Sequence, residues 1–222
     1  MMLTSKFKKK ISSKIVAKPQ SSTIEKVSGA YEAILLQAAF LFSTKGYAES
    51  GLREIADRAG IRSSTVYYHF KSKEKIYETI IEKAMLCIFQ SVTQEINALP
   101  KNASIRRRID AAIKGHLLAL HSNKPFTSTN AHSRITLPPK VDRAIRAMRN
   151  EYSDFWQALI VEAQNEGALK TEIDPQLLRP ILLGTLNRTV SWFDDQKSTV
   201  DSLITSLIVM FSGIWKTRSS RI

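Results

Sequence analysis

Apolar residues recur at helical spacing along most of this 222-residue chain. Ile34, Leu35, Ala38, Leu41 and Phe42 follow intervals of three and four, and the run stops at Gly46 behind Lys45. That pattern predicts a first helix from about Thr23, with a basic residue at the negative end of its dipole and a glycine suited to the left-handed cap. Leu52, Ile55, Ala56 and Ala59 predict a second helix, from about Leu52 to Ala59, with Ser50 or Gly51 as N-cap. Glu54 lies near its positive end, and Arg53 and Arg58 are left outside. After Gly60 and Ile61 a short third helix runs from about Ser63 to His69, where Thr65, Tyr67 and Tyr68 interleave with inward-facing Val66 and Phe70.

The remainder keeps the same period. Ile76, Ile80, Ala84, Cys87 or Ile88, and Val92 make a long amphipathic helix from Lys73 to about Leu99, stopped by Pro100. Ile105, Ile109, Ile113, His116 and Leu120 mark the next, from Ser104 to about Ser122, and Asn123 to Pro139 reads as loop with room for one short helix. Val141 to Glu166 carries Ile145, Met148, Tyr152, Phe155, Leu159 and Ala163 and ends at Gly167. Asp174 and Pro175 form a cap and first-turn pair before a helix from Gln176 to about Phe193, and a last helix runs from Thr199 to about Lys216. No strand pattern or repeat competes, so the expected fold class is all-α, with about nine helices. The last helix is apolar over more than one face and asks for two neighbours. At the end of a chain one of them can belong to a second subunit, which predicts a homodimer through the last two helices.

Ala56, Gly60 and Val66 stand at offsets of four and ten. A small residue lets the second helix cross the first closely, a glycine relieves the turn and an apolar residue closes the wedge, which is the spacing of a helix-turn-helix. That unit most often meets duplex DNA.

Charge changes this picture only at the N-terminus. The formal net charge is +13, yet residues 24–75 hold eight basic and six acidic side chains, while residues 1–22 hold six lysines and no acid. The helix-turn-helix therefore rests on spacing and residue type. The tail is expected to be a basic disordered arm, either a solvated terminus or a sequence-independent attraction to a polyanion. A mitochondrial presequence would share its composition but favours Arg over Lys. The apolar stretch from Leu203 to Trp215 is interrupted by Thr205, Ser206, Ser212 and Gly213 and is too short to span a bilayer, so no membrane role is expected. A single Cys87 and no secretory apolar region point to a cytoplasmic protein, with Cys87 read as a small buried hydrophobe.

The residues that carry this unit also resemble a known family. Ile34, Ala38, Phe42, Gly46 and Tyr47, then LREIADRAGI from Leu52 to Ile61, then TVYYHFKSKEKIY from Thr65 to Tyr77 are similar to the TetR-type transcriptional regulators. The resemblance implies a DNA-binding domain at 23–75 and a helical effector-binding and dimerisation domain at 76–222, behind the arm at 1–22. It further implies repression of a palindromic operator, relieved by a small molecule. Two positions depart: Gly51 follows Ser50 where Ser or Thr commonly precedes helix two, and Arg62 stands where Ser commonly caps helix three, which predicts a shift of capping to Ser63. The stretch from Gly167 to Phe193 also resembles family members that govern lipid and sterol degradation and answer to acyl-CoA thioesters, departing at Arg188 and Ser191.

The expected DNA contacts follow from residue type and from this match. Ser63, Ser64 and Thr65 carry short hydroxyls that meet base edges or phosphates, and the Thr methyl suits a thymine methyl. The family match places Tyr67, Tyr68, His69 and Lys73 at backbone contacts or in support of the helix, and Arg53 at a groove or phosphate contact, the alternative for Arg53 being a solvated helix face.

Polar groups that interrupt apolar faces mark the candidate ligand site: Phe89, His116, Leu120, Phe155, Trp156, Asn187 and Arg188. Each has a plainer reading. His116 can be a hydrogen-bonded core histidine, Phe155 and Trp156 can be core, and Arg188 can serve the dimer interface. An apolar or amphipathic effector fits, and an acyl-CoA ester is what the resemblance implies. Catalysis is not expected: His69, His116, His121 and His132 have no metal-ligand spacing, and there is no phosphate loop or nucleophile elbow, so neither metal nor cofactor is called for. The alternative function is a DNA-binding regulator or activator without an effector.

Overall fold

The computed structural model describes residues 22–131 and 139–216, so the expected arm and His132 lie outside the described residues. Those residues form nine α-helices: α1 Ser22–Thr44, α2 Leu52–Arg58, α3 Ser63–His69, α4 Lys73–Asn97, α5 Ile105–Ser122, α6 Lys124–Ala131, α7 Pro139–Asn165, α8 Pro175–Arg188 and α9 Val200–Phe211. The all-α expectation holds. No strand occurs among the described residues, where the only extended pairing is an isolated bridge between Leu169 and Trp215.

Helix ends follow local chemistry. Gly46 at φ 95° and Gly60 at φ 68° take the left-handed backbone that closes α1 and turns α2 into α3. Ser72, Ser104, Asp174 and Thr199 each accept a backbone N–H as caps of α4, α5, α8 and α9. Gly51 and Arg62, the caps of α2 and α3, make no side-chain cap bond, so the predicted shift of capping to Ser63 does not occur. Ser50 instead donates to the Gly46 carbonyl and is buried.

The structure corrects two ends. The helix expected to reach Phe193 stops at Arg188 and tightens into a 3-10 turn at Thr189–Ser191. The last helix stops at Phe211, and after a second 3-10 turn the chain extends, with Lys170 N–H donating to the Ile214 carbonyl and Lys216 N–H to that of Ala168. Trp215 is buried in this way against the turn behind α7.

One continuous core runs through the molecule. Its first section is the triangle of Phe42, Tyr47 and Tyr77, with ring centroids 5.1–5.5 Å apart, which fastens the end of α1 to the start of α4. Farther along, α4 and α5 cross closely at Gly115. A Cβ there would stand 2.6 Å from Val92 Cα and 2.7 Å from the Ser91 carbonyl oxygen, so only glycine admits the crossing.

Candidate functional site

The wedge expected from Ala56, Gly60 and Val66 is present. Ala56 and Val66 are fully buried, and the Ile61 N–H returns to the Ala56 carbonyl at 3.0 Å to close the turn. Phe70 stacks on Tyr31 of α1 at 4.9 Å between centroids, so α3 is anchored from behind by Val66 and Phe70. Its other side faces out: Tyr67 is 60% and Tyr68 78% exposed, Ser64 is exposed, and Ser63, Thr65 and His69 are half-buried. His69 meets Tyr31 and Tyr68 edge-on. Arg53 is exposed on α2. Large aromatic hydroxyls and short hydroxyls standing free on a short helix suit the floor of a major groove and its bordering phosphates.

Lys73 differs from the other candidate contacts. Its ammonium donates to the carbonyls of Tyr47 at 2.8 Å, Ser50 at 3.0 Å and Ala48 at 3.3 Å, and lies 4.4 Å from the Tyr47 ring centroid. A lysine has three N–H donors, and all three are engaged. The side chain thereby ties the turn between α1 and α2 to the start of α4. No spacing in the sequence signals this role, because the partners are backbone carbonyls more than twenty residues away.

Four candidate ligand residues gather in the other half of the molecule. Phe89 of α4, His116 of α5, and Phe155 and Trp156 of α7 form an aromatic cluster around Tyr152, which periodicity alone marked as core. His116 Nδ1 and the Tyr152 hydroxyl are 2.8 Å apart, and both residues are buried. No partner stands within 3.5 Å of His116 Nε2 or Trp156 Nε1, but the Asn187 side chain lies near enough to His116, and Trp156 to the Tyr152 hydroxyl, to act as longer hydrogen bonds. Burial pushes the His116 imidazole down to about 4; Asn187 opposes that shift and His121 adds to it. Burial likewise raises the Tyr152 phenol, opposed by Trp156. At neutral pH the cluster is therefore uncharged. Leu120 is buried one turn from His116, Asn187 is half-buried on α8, and Arg188 is exposed at the end of α8 rather than gathered with the rest.

A second buried histidine escaped the sequence reading. His121 Nε2 lies 2.9 Å from Thr189 Oγ1, whose proton goes to the Leu186 carbonyl, so Nε2 is the protonated nitrogen and Nδ1 is left unpaired. Its ring meets Phe193 edge-on at 4.9 Å. Among the described residues no group of three or more His, Cys, Asp or Glu side chains could hold a metal ion, and no helix is long and apolar enough to cross a membrane.

An exposed recognition helix on a three-helix unit, carried by a larger helical body, defines a DNA-binding regulator of the helix-turn-helix class. Comparison with known proteins agrees. A family model described as bacterial regulatory proteins, tetR family, matches residues 34–80, and one for the tetracyclin repressor-like C-terminal domain matches residues 102–208. The chain belongs to the TetR family of transcriptional regulators. It is 25% identical over 191 residues to the fatty acid metabolism regulator protein of Bacillus subtilis (strain 168), covering 83% of this chain and 95% of that one. It is 25% identical over 183 residues to the transcriptional repressor KstR2 of Rhodococcus jostii (strain RHA1), covering 79% and 86%. The crystal structure of AibR in complex with isovaleryl coenzyme A and operator DNA superposes with a TM-score of 0.72 at 23% identity, over 82% of this chain and 97% of that one.

Proposed function

We propose that this regulator is a homodimeric repressor, released from a palindromic operator by a small apolar or amphipathic effector of the acyl-thioester class. The observation that carries the reading is the position of α6. Thr129 donates from Oγ1 to the Ala39 carbonyl of α1 at 3.0 Å, while α6 also packs on α4, α5 and the 3-10 turn after α8. Thr127 adds a bond to the Leu120 carbonyl, one turn from His116. An effector that separates α5 from α8 thus strains a helix bonded to α1, and it favours whichever placement of the recognition helix goes with the separated state.

The division into an arm at 1–22, a DNA-binding part at 23–75 and an effector and dimerisation part at 76–222 belongs to the same reading. Arg53, Ser63, Ser64, Thr65, Tyr67, Tyr68 and His69 meet DNA directly, and Lys73 sets the turn behind them. Leu177 and Ile181 of α8 and Val209 and Met210 of α9 are large apolar side chains left exposed, which supports pairing through these two helices. Two such subunits present recognition helices to half-sites about one helical turn apart. The names of the Bacillus relative and of the AibR complex support the acyl-thioester class. The operator places the site of action in the cytoplasm.

The test is selection of bound duplexes from genomic fragments, followed by fluorescence anisotropy on the selected site with acyl-CoAs of graded chain length. Selection of a palindrome and its release by one range of chain lengths is the expected result. Failure to select any duplex at low salt, or release by none of the acyl-CoAs, overturns the reading.

A further inference from the structure

We propose that the lysines of residues 1–21 are the main sequence-independent anchor of this regulator on duplex DNA, holding phosphates that flank each half-site. The inference rests on the DNA-binding half of the reading above and not on its effector, and it gives a partner to a segment that the reading leaves without a task.

The described DNA-binding unit has little charge to spare. Affinity for a duplex grows with the number of phosphates neutralised. Residues 24–75 hold eight basic and six acidic side chains, 8 − 6 = +2, and four of the basic ones are engaged within the unit or with the start of α4. Lys73 donates to the carbonyls of Tyr47, Ala48 and Ser50. Lys45 pairs with Glu54 at 3.0 Å and Lys75 with Glu78 at 2.8 Å. Arg58 donates to the Gln37 side chain and lies 4.6 Å from the centroid of the Phe40 ring. Arg53, Arg62 and Lys71 remain exposed, a thin supply of charge against a polyanion.

The missing charge stands next in the chain. Lys6, Lys8, Lys9, Lys10, Lys14 and Lys18 precede α1, and residues 1–22 contain no acid. The helix that carries them passes the recognition helix: Tyr31 of α1 stacks on Phe70 at 4.9 Å and meets His69 edge-on at 6.0 Å between centroids. Ser22, where α1 begins, is nine residues before Tyr31, a distance of about 14 Å along a helix. A chain of 21 residues reaches at most about 70 Å, roughly twice one helical turn of duplex. Phosphates outside the half-site read by α3 are therefore within range of these lysines. The subunit offers them little competition, because Glu32, Glu54 and Glu78 already hold Lys83, Lys45 and Lys75. A lysine is a point charge on a flexible stem, which suits phosphate contact without base readout.

Fluorescence anisotropy of the full chain between 50 and about 300 mM salt tests this, on the selected operator and on an unrelated duplex of equal length. The variant carries Lys6→Gln, Lys8→Gln, Lys9→Gln, Lys10→Gln, Lys14→Gln and Lys18→Gln. Its slope of log affinity against log salt should be smaller by at least about two per subunit, out of at most about five. Affinity should fall by the same factor on both duplexes, with an unchanged melting temperature. Extending the operator by ten base pairs on each side should strengthen binding of the parent and not of the variant. Arginine at the same six positions should restore the parent slope. A variant slope equal to that of the parent, a loss confined to the operator, or no gain from the longer flanks overturns the proposal. So does a variant that loses binding to phosphatidylserine vesicles while keeping the parent slope on DNA, which makes a membrane surface the partner. A parent that selects no operator, yet binds the unrelated duplex with a slope that falls in the variant, supports the proposal and overturns the repressor reading.

Discussion

The ammonium of Lys73 sits 2.8 Å from the carbonyl oxygen of Tyr47 and 4.4 Å from the centroid of the same residue's ring. One side chain thus fastens both the backbone and the aromatic face of the residue that follows α1. Lys73→Met removes three charge-assisted bonds and should cost about 1.5–3 kcal/mol in stability by urea denaturation. Operator affinity should fall with it, but the slope of log affinity against log salt should stay that of the parent. A slope reduced by about one would show that Lys73 also neutralises a phosphate.

The exposed face of α3 gives the opposite behaviour. Tyr68 is 78% exposed and touches His69 alone among the ring contacts described for it, so Tyr68→Ala should leave the melting temperature unchanged while weakening binding to all duplexes alike. Thr65→Ala should change preference at one half-site position by about 1–3 kcal/mol, read in a selection experiment. Arg53→Ala should lower the salt slope by about one per subunit.

Gly115→Ala tests the α4–α5 crossing. The new Cβ meets backbone atoms of Ser91 and Val92 at 2.6–2.8 Å, and backbone cannot rotate away as a side chain can. The helices must part, at a cost at or above the upper end of about 1–3 kcal/mol by thermal or urea unfolding.

Acid should reveal the buried His116. Its imidazole is held at about 4 by burial, below the 6.5 of an unfolded chain, so the unfolded state takes up the proton first. The stabilising contribution is complete above pH 6.5 and is lost as pH falls from 6.5 through about 4, at on the order of 1.4 kcal/mol per pH unit. His121 is shifted in the same direction, chiefly by burial, and adds to the loss. The slope of stability against pH between 6.5 and 4.5 should be shallower in His116→Gln than in the parent, both followed by urea titration.

Val209 and Met210 are 64% and 57% exposed on a helix whose other face is core. Val209→Asp with Met210→Asp should turn the proposed dimer into a monomer in sedimentation velocity, with little change in helical content, because both side chains are mostly exposed within their own subunit. Operator affinity should collapse, since a palindrome is then read one half at a time.

Much of this molecule was legible in one dimension. Helix period, the glycines at 46, 60 and 167 and the cap at Asp174 are local: each depends on residues within one or two turns, so sequence alone determined an all-α chain of about nine helices and the helix-turn-helix at Ala56, Gly60 and Val66. What depends on contacts between distant segments was not legible. Lys73 read as a DNA-backbone contact or a support of the helix, and only the folded 47–50 turn shows which carbonyls it holds; Tyr152 read as one more core residue until it met His116, and Gly115 had no turn to announce it. Arg188 read as a candidate ligand residue or part of a dimer interface, and it stands exposed, because a helix end offers several directions that period does not distinguish. Tertiary structure decided these because a hydrogen bond or a close crossing needs two partners at a given distance, and sequence spacing describes only one of them.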